Sequence, residues 1–350
     1  MSQPDGHQPE RRRLNRRSSD RRASNQHASS TPEGYFDVTA IGEGQLRLSV
    51  PAGKRLEQAS QFDVNVSGTE GNVTGLLSRL GWSCGLVTGL PDSPLGQRVK
   101  NEYQLTGLDL SAVHWSDCHR LATYYVEYAV PPRSTQVYYD RADTCFTNLT
   151  VDDIAWGYLL DTRLLHLSGL TLALSPSIKT IFVEAIARAK DAGIPVSFDM
   201  NYRSKLWTPA EAAEAVKPIF NEVDILFCGR SDAKRMFDLD GPPKSIIDGL
   251  REISSARYIV TTLSHEGLIA WDGDYHCIPA KDVTILDRIG AGDAMVAGVL
   301  HGYLQDDFLK GLNYGVTCAA MALSQYGDQV VTHKNELEKL LTASPLDIER

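Results

Sequence analysis

Cysteine is sparse in this chain and poorly placed for any framework. Its six cysteines, Cys84, Cys118, Cys145, Cys228, Cys277 and Cys318, are scattered, and no two form a C-x-x-C pair. That spacing excludes a disulfide scaffold and a zinc site, and reduced cytoplasmic thiols are the expectation. No H-x-x-x-H or Cys/His cluster offers a transition-metal site either. No run approaches the ~18 uninterrupted apolar residues of a membrane span. No apolar stretch follows Met1 as a secretory signal requires, so neither membrane insertion nor export is expected. Basic charge is scarce outside one segment. Residues 1–33 hold seven Arg and four acidic residues, so +3 of a net charge of −9, which leaves −12 on the remainder. An acidic body is a poor nucleic-acid surface, and no nucleic-acid partner is expected for it. Residues 1–33 also nearly lack apolar side chains, so they are expected to be a disordered tail. Its run RRRLNRRSSDRR, residues 11–22, either stays solvated or touches an anionic surface.

What remains is ordinary globular material. The hydrophobic fraction of 42% and charged fraction of 23% suit a packed core, and 350 residues allow two domains or one large α/β domain with an insertion. Residues 36–41 read as a buried strand running into Gly42-Glu43-Gly44. Residues 45–66 alternate loosely around a turn, as antiparallel strands with one solvated face do. A helix is expected from about Asn72, with Val73, Leu76, Leu77 and Leu80 as its apolar stripe, ended by Gly81. Residues 119–141 again read as an antiparallel pair, around Pro131-Pro132. From Leu164 onward strands and helices alternate. Ser175-Pro176 caps a helix whose Ile178, Ile181, Phe182, Ala185, Ile186 and Ala189 share a face. Thr208 and Glu211 form a capping box. Strands are expected at 164–167, 195–198, 223–228, 258–263, 268–271 and 283–286. This alternation predicts an α/β fold, a mostly parallel sheet with helices on both faces and a small antiparallel sheet inserted as a flap.

Chemistry concentrates in residues 287–304, DRIGAGDAMVAGVLHGYL. Gly290 and Gly292 let backbone N–H groups converge without interference from a Cβ, and the helix that follows adds partial positive charge, which suits a phosphate or a developing anion. Asp293 in the first turn is either a helix-capping acid or a general base beside that anion hole. The residue types alone leave both roles open. His166, in an apolar strand, is expected to be a core residue.

Gly290-Ala291-Gly292-Asp293 and its Ala-rich helix resemble the C-terminal signature of the PfkB/ribokinase family of sugar kinases. Gly68-Thr69-Glu70-Gly71-Asn72, leading to Leu80-Gly81, is similar to that family's N-terminal substrate motif. LLHLSGLTLALS (164–175), SFDMNYRSKLWTP (197–209) and Gly327-Asp328 resemble the 2-keto-3-deoxygluconate kinase branch. The resemblance spans roughly residues 35–341. It implies a three-layer ribokinase-like domain over residues 34–343 with a small β-sheet lid, from about 45–66 and 119–141, that often pairs two copies as a homodimer. It implies phosphorylation of a sugar hydroxyl by ATP and Mg²⁺, with a monovalent cation as an open third requirement. Asp293 is then the catalytic base, and Gly290, Ala291 and Gly292 form the anion hole. Arg203, and Arg141 on the lid, are candidates to bind a keto acid's carboxylate. Tyr124 and Tyr139 cover the sugar, and Gly42, Gly68 and Asn72 cradle it. Asp232, Ser264, Gly267 and Asn313 match the nucleotide side, and Asp232 can reach a metal through water.

Three positions depart from the family's usual pattern. Gly229-Arg230-Ser231-Asp232 replaces Asn-x-x-Glu, Ser264-His265-Glu266-Gly267 replaces Gly-x-x-Gly, and Arg288-Ile289 replaces small residues before the turn. Three readings follow: a kinase for a keto-sugar acid, a kinase for a neutral sugar such as fructose or ribose, or a degenerate sugar-acid binder that transfers nothing.

Overall fold

Short buried runs of aliphatic residues build the strands, and capped amphipathic segments build the helices. The computed structural model describes residues 35–128 and 130–342. The arginine-rich segment 1–33 and its expected disorder lie outside the described residues. The chain opens with β1 (Val38–Ile41), β2 (Gln45–Val50), β3 (Asp63–Ser67), α1 (Thr69–Arg79), β4 (Cys84–Val87), β5 (Gly89–Pro91) and α2 (Pro94–Gln104). There follow β6 (His114–Ser116), β7 (Ala122–Glu127), β8 (Gln136–Asp140), α3 (Trp156–Leu159), β9 (Leu165–Ser168), α4 (Gly169–Leu172), α5 (Pro176–Asp191) and β10 (Val196–Asp199). The rest comprises α6 (Pro209–Phe220), β11 (Ile225–Phe227), α7 (Arg230–Phe237), α8 (Pro243–Ile253), β12 (Tyr258–Thr262), β13 (Leu268–Trp271), β14 (Tyr275–Ile278), α9 (Ala291–Tyr303), α10 (Phe308–Leu323) and α11 (Lys334–Thr342).

The large sheet has the order β14-β13-β12-β11-β10-β9-β1-β4. It is parallel from β12 to β4 and turns antiparallel through β13 and β14. Two apolar cores flank it. One packs α1, α9 and α10 against one face; the other packs α5, α6 and α8 against the opposite face. Helices on both faces explain why the parallel strands are apolar runs instead of alternating ones. Local signals hold where expected: Ser175 Oγ accepts from the Ile178 N–H, and Thr208 and Glu211 cap each other.

The small sheet has the order β3-β2-β7-β8. Its two outer pairs are antiparallel, and β2 and β7 meet in a parallel seam that sets Arg47 beside Tyr124. The sheet does leave one face more open to solvent, the one carrying Tyr125 and Tyr138, but on β2 it is the polar face that turns inward. Gln45, Arg47 and Ser49 on β2 are all buried, because that polar face is turned onto the body of the molecule.

Three further expectations shift. Helix α1 starts at Thr69, three residues before Asn72, with Gly68 as its N-cap, where a Cβ would lie 2.3 Å from the Glu43 carbonyl. Residues 283–286 form no strand. The Leu286 N–H binds the Leu323 carbonyl at the end of α10, which takes the place of a strand partner. The edge strand β14 has no clear sequence signal, since three of its four residues are half-buried, Cys277 is exposed and they carry no apolar alternation.

Helices α9 and α10 approach through glycines. A Cβ on Gly302 would lie 2.1 Å from the Gly311 Cα, and one on Gly298 would lie 2.7 Å from the Gly315 backbone. That contact sets the height at which the N-terminus of α9 meets the cleft.

Candidate active site

The turn into α9 is built on Gly290. Its φ of 86° is left-handed, and a Cβ there would lie 2.4 Å from the Asp328 carbonyl, so both conformation and space require glycine. At Gly292 the opposite holds. A Cβ there would meet nothing within 4 Å, and the position opens into the cleft. The space left beside these first amides of α9 fits an incoming phosphate.

Asp293 follows directly. Thr69 Oγ1 donates to its Oδ1 at 2.5 Å, and Asn72 Nδ2 donates to its Oδ2 at 2.7 Å. Both donors come from the first turn of α1, so the two sequence motifs meet at this carboxylate. Burial pushes the Asp293 carboxyl up to about 6, against the opposing pull of these hydrogen bonds and of Arg203. Its ionised form is therefore present at neutral pH and still basic enough to take a proton.

Asp293, Gly290 and Gly292 line a cavity of about 420 Å³ with Asp199, Asn201, Arg203, Asp232 and Arg288. Arg203 is exposed, and no hydrogen bond ties it to Asp199. Asp199 is half-buried at the cavity wall, and desolvation, then the charges of Asp293 and Asp232, push it up to about 8. Asp232 is raised mainly by burial, while the Tyr202 N–H donates to its Oδ2 at 3.2 Å. Among the described residues no group of three or more His, Cys, Asp and Glu is placed to hold a metal. Carboxylates facing the cleft without a closed cage fit magnesium held mainly by phosphate and water oxygens, and Asp232 is a carboxylate that could reach it.

A second cavity, of about 630 Å³, adjoins the first and shares Thr262, Arg288, Gly292 and Met295 with it. Ser264, Gly267 and Ala291 line it, and Val316, Ala319, Ala320 and Leu323 of α10 give it an apolar wall. Such a wall suits a planar base. Asn313 lines neither cavity; its amide donates to the Leu309 carbonyl. Arg230, one of the departures from the family pattern, pairs with Glu266 at 2.6 Å, which joins the two altered loops.

The small-sheet candidates stand behind the cavities. Tyr124 is buried, and its hydroxyl is shared with Asp328 and Ser67. Tyr139 packs on it, with ring centroids 5.9 Å apart. Arg141 is buried against Glu43 at 2.7 Å and stacks over Tyr139. Gly42 lies against Glu70, whose Oε2 a Cβ at 42 would approach to 2.4 Å. Gly42, Gly68, Asn72, Tyr124, Tyr139 and Arg141 therefore border the site without lining either cavity.

Sequence reading passed over several residues that the structure brings here. Thr69 lies inside the N-terminal motif and Asn201 inside D-x-N-x-R, where Asn201 Nδ2 donates to Thr69 Oγ1 at 3.0 Å. Their polar types at the mouths of α1 and β10 were the available signal. Arg47 gave a misleading one, since an Arg in an alternating strand reads as a solvated position.

The pfkB family carbohydrate kinase model matches residues 37–335. The 2-dehydro-3-deoxygalactonokinase of Haloferax volcanii is 34% identical over 316 residues, covering 90% of this chain and 99% of that protein. The 2-dehydro-3-deoxygluconokinase of Thermoproteus tenax is 27% identical over 318 residues, covering 89% and 96%. Among solved structures, the 2-dehydro-3-deoxygluconokinase of Thermotoga maritima superposes with a TM-score of 0.83 at 28% identity, covering 88% of this chain and all of that one. With the family match spanning most of its length and the glycine turn, its aspartate and the adjoining cavities in place, the chain belongs to the pfkB family of carbohydrate kinases.

Proposed function

We propose that the chain transfers the γ-phosphoryl group of ATP to a hydroxyl of a 2-keto-3-deoxy sugar acid. One observation carries this reading: the Asp293 carboxylate, the Gly290–Gly292 amides and the Arg203 guanidinium all line one cavity, and the nucleotide-sized cavity shares its wall. Relatives named for 2-dehydro-3-deoxygalactonate and 2-dehydro-3-deoxygluconate phosphorylation support it. Arg203 binds the acid's carboxylate as a planar fork, which a neutral sugar does not need. Arg141, paired with Glu43, and Tyr124, bonded to Asp328, brace the small sheet with Tyr139 behind the site, and none of the three lines either cavity.

The chemistry follows from the placement. Asp293 takes the proton of the acceptor hydroxyl, and that oxygen attacks the γ-phosphorus while the bond to the β-phosphate oxygen breaks and ADP leaves. The amides of Gly290, Ala291 and Gly292, with the α9 dipole, stabilise charge on the transferring group. Magnesium, when bound, neutralises phosphate charge, and Asp232 would hold it through water. Thr69 and Asn72 fix the carboxylate so that one oxygen faces the hydroxyl. Ser264 and Gly267 take the nucleotide side, against the apolar α10 wall.

An ADP-release assay over a panel of keto-sugar acids and neutral sugars tests the proposal. Turnover is expected on 2-keto-3-deoxygluconate or 2-keto-3-deoxygalactonate. Arg203→Ala is expected to raise KM for the acid at least ~10-fold, as loss of a charged bidentate contact does, and to leave KM for a neutral sugar unchanged. Folded protein that turns over no acidic sugar would sink the substrate assignment.

A further inference from the structure

We propose that Arg47 is the positioning residue that locks the phosphoryl-binding turn to the small sheet, so that the lid and the anion hole move as one unit. The inference rests on the kinase reading above.

Arg47 lies at the centre of β2, and its side chain has no exposed surface. Its Nη1 donates to Asp328, its Nη2 to Asp287 and to the Tyr128 hydroxyl, and its Nε to Ser49 Oγ at 2.9 Å. A planar guanidinium can span two carboxylates in this way, whereas an ammonium is a point donor. Each aspartate adjoins one flank of the turn, Asp287 through its carboxylate and Asp328 through its main chain. Asp287 Oδ1 accepts from the Ile289 N–H at 3.1 Å, one residue before Gly290. The Asp328 main-chain carbonyl is the atom against which Gly290 is seated. The Ile289 side chain packs on Tyr124, Val126 and Tyr128, the apolar face of β7.

A buried cluster of this kind contributes little net stability, since desolvation offsets the attraction. Its contribution here is geometric. The guanidinium comes from the sheet that carries the lid, and both carboxylates come from loops that frame the turn. Withdrawal of the sheet therefore pulls on the Gly290–Gly292 amides, and seating of the sheet sets them.

Arg47→Lys tests this in the full chain, because it keeps the charge and loses the span. Two readouts are compared with the wild type. In the ligand-free protein, amide hydrogen exchange in residues 288–293 is expected to quicken at least ~10-fold, with α5 unchanged. With ATP and whichever acceptor the wild type turns over, kcat is expected to fall ~10²-fold, the loss that a misplacement near 1 Å produces, while the acceptor KM stays within ~3-fold. A kcat within ~3-fold of wild type overturns the proposal. So does unchanged exchange at 288–293, and so does exchange that quickens equally in α5, which would mark a merely structural role. Should Arg47→Lys fail to fold, Tyr128→Phe carries the same comparison, since it removes one hydrogen bond from both Arg47 and Asp287. Its kcat is then expected to drop several-fold, and an unchanged kcat overturns the proposal equally. If the wild type itself phosphorylates no acceptor, the kinase reading fails separately, and the exchange comparison still decides the role of Arg47.

Discussion

Asp293 occupies a helix first turn, where an acid is favoured by the free amides, yet burial lifts its carboxyl to about 6. As the proposed base, Asp293 must be ionised to accept a proton, so kcat/KM is expected to fall as pH drops below about 6 and to level off above it. Asp293→Asn is expected to abolish that acid limb and to lower kcat ~10²–10⁴-fold with the fold intact. A pH-rate profile of both proteins checks this, and an unchanged kcat would place the base elsewhere. At this scale the sequence was informative where chemistry dictates a residue type. Gly290 could be read because a left-handed turn has few substitutes. The residue type of Asp293 left a capping and a general-base role open, but Asp293 could be placed beside Gly290 because the two are neighbours in the chain. Arg47, Asp287 and Asp328 could not, because their roles depend on three segments far apart in the chain meeting in one buried cluster. The role of Tyr124 was hidden for the same reason: its partner Asp328 is 204 positions away.

Among elements, α9 matters most, since it carries the anion hole at one end and is held by glycine contacts along its length. Gly302→Ala separates two opposing effects. Alanine gains about 1 kcal/mol of helix propensity, but its Cβ would lie 2.1 Å from the Gly311 Cα, a backbone atom that cannot turn aside. Overpacking of ~1–3 kcal/mol is therefore expected to win. Chemical denaturation should show a less stable protein, and a gain in stability would show that α10 can yield. Helix ends and stripes were legible because they are local. Ser175, Thr208 and the apolar face of α5 fall where the spacing predicts. Residues 283–286 misled for want of a neighbour: an apolar run becomes a strand only beside a free sheet edge, and this one meets the end of α10. The polar inward face of β2 misled similarly, since alternation shows that two faces differ and not which of them meets water.

For the whole molecule, the cleft carries carboxyls that burial, and secondarily mutual repulsion, hold toward the neutral form. Asp199 titrates near 3.8 when free and at about 8 in the fold, so between those values the folded state binds more protons than the unfolded one. Stability should fall as pH rises through that window, and the full cost is present above about 8. Asp293 and Glu70, raised to about 6 and about 7, act in the same direction. Asp199→Asn is expected to raise Tm at pH 9 and to change it little at pH 4, measured without nucleotide or magnesium. An equal shift at both values would show that Asp199 is already ionised throughout. The layered architecture could be read from alternation of strands and helices, whereas the parallel seam between β2 and β7 could not, because nothing local records which strands become neighbours. The two cavities share Thr262, Arg288, Gly292 and Met295, so on the proposed reading donor and acceptor meet at one common wall. The phosphorus atom then crosses in one displacement, like an umbrella turned inside out, and a chirally labelled nucleotide would hand on its label with opposite handedness.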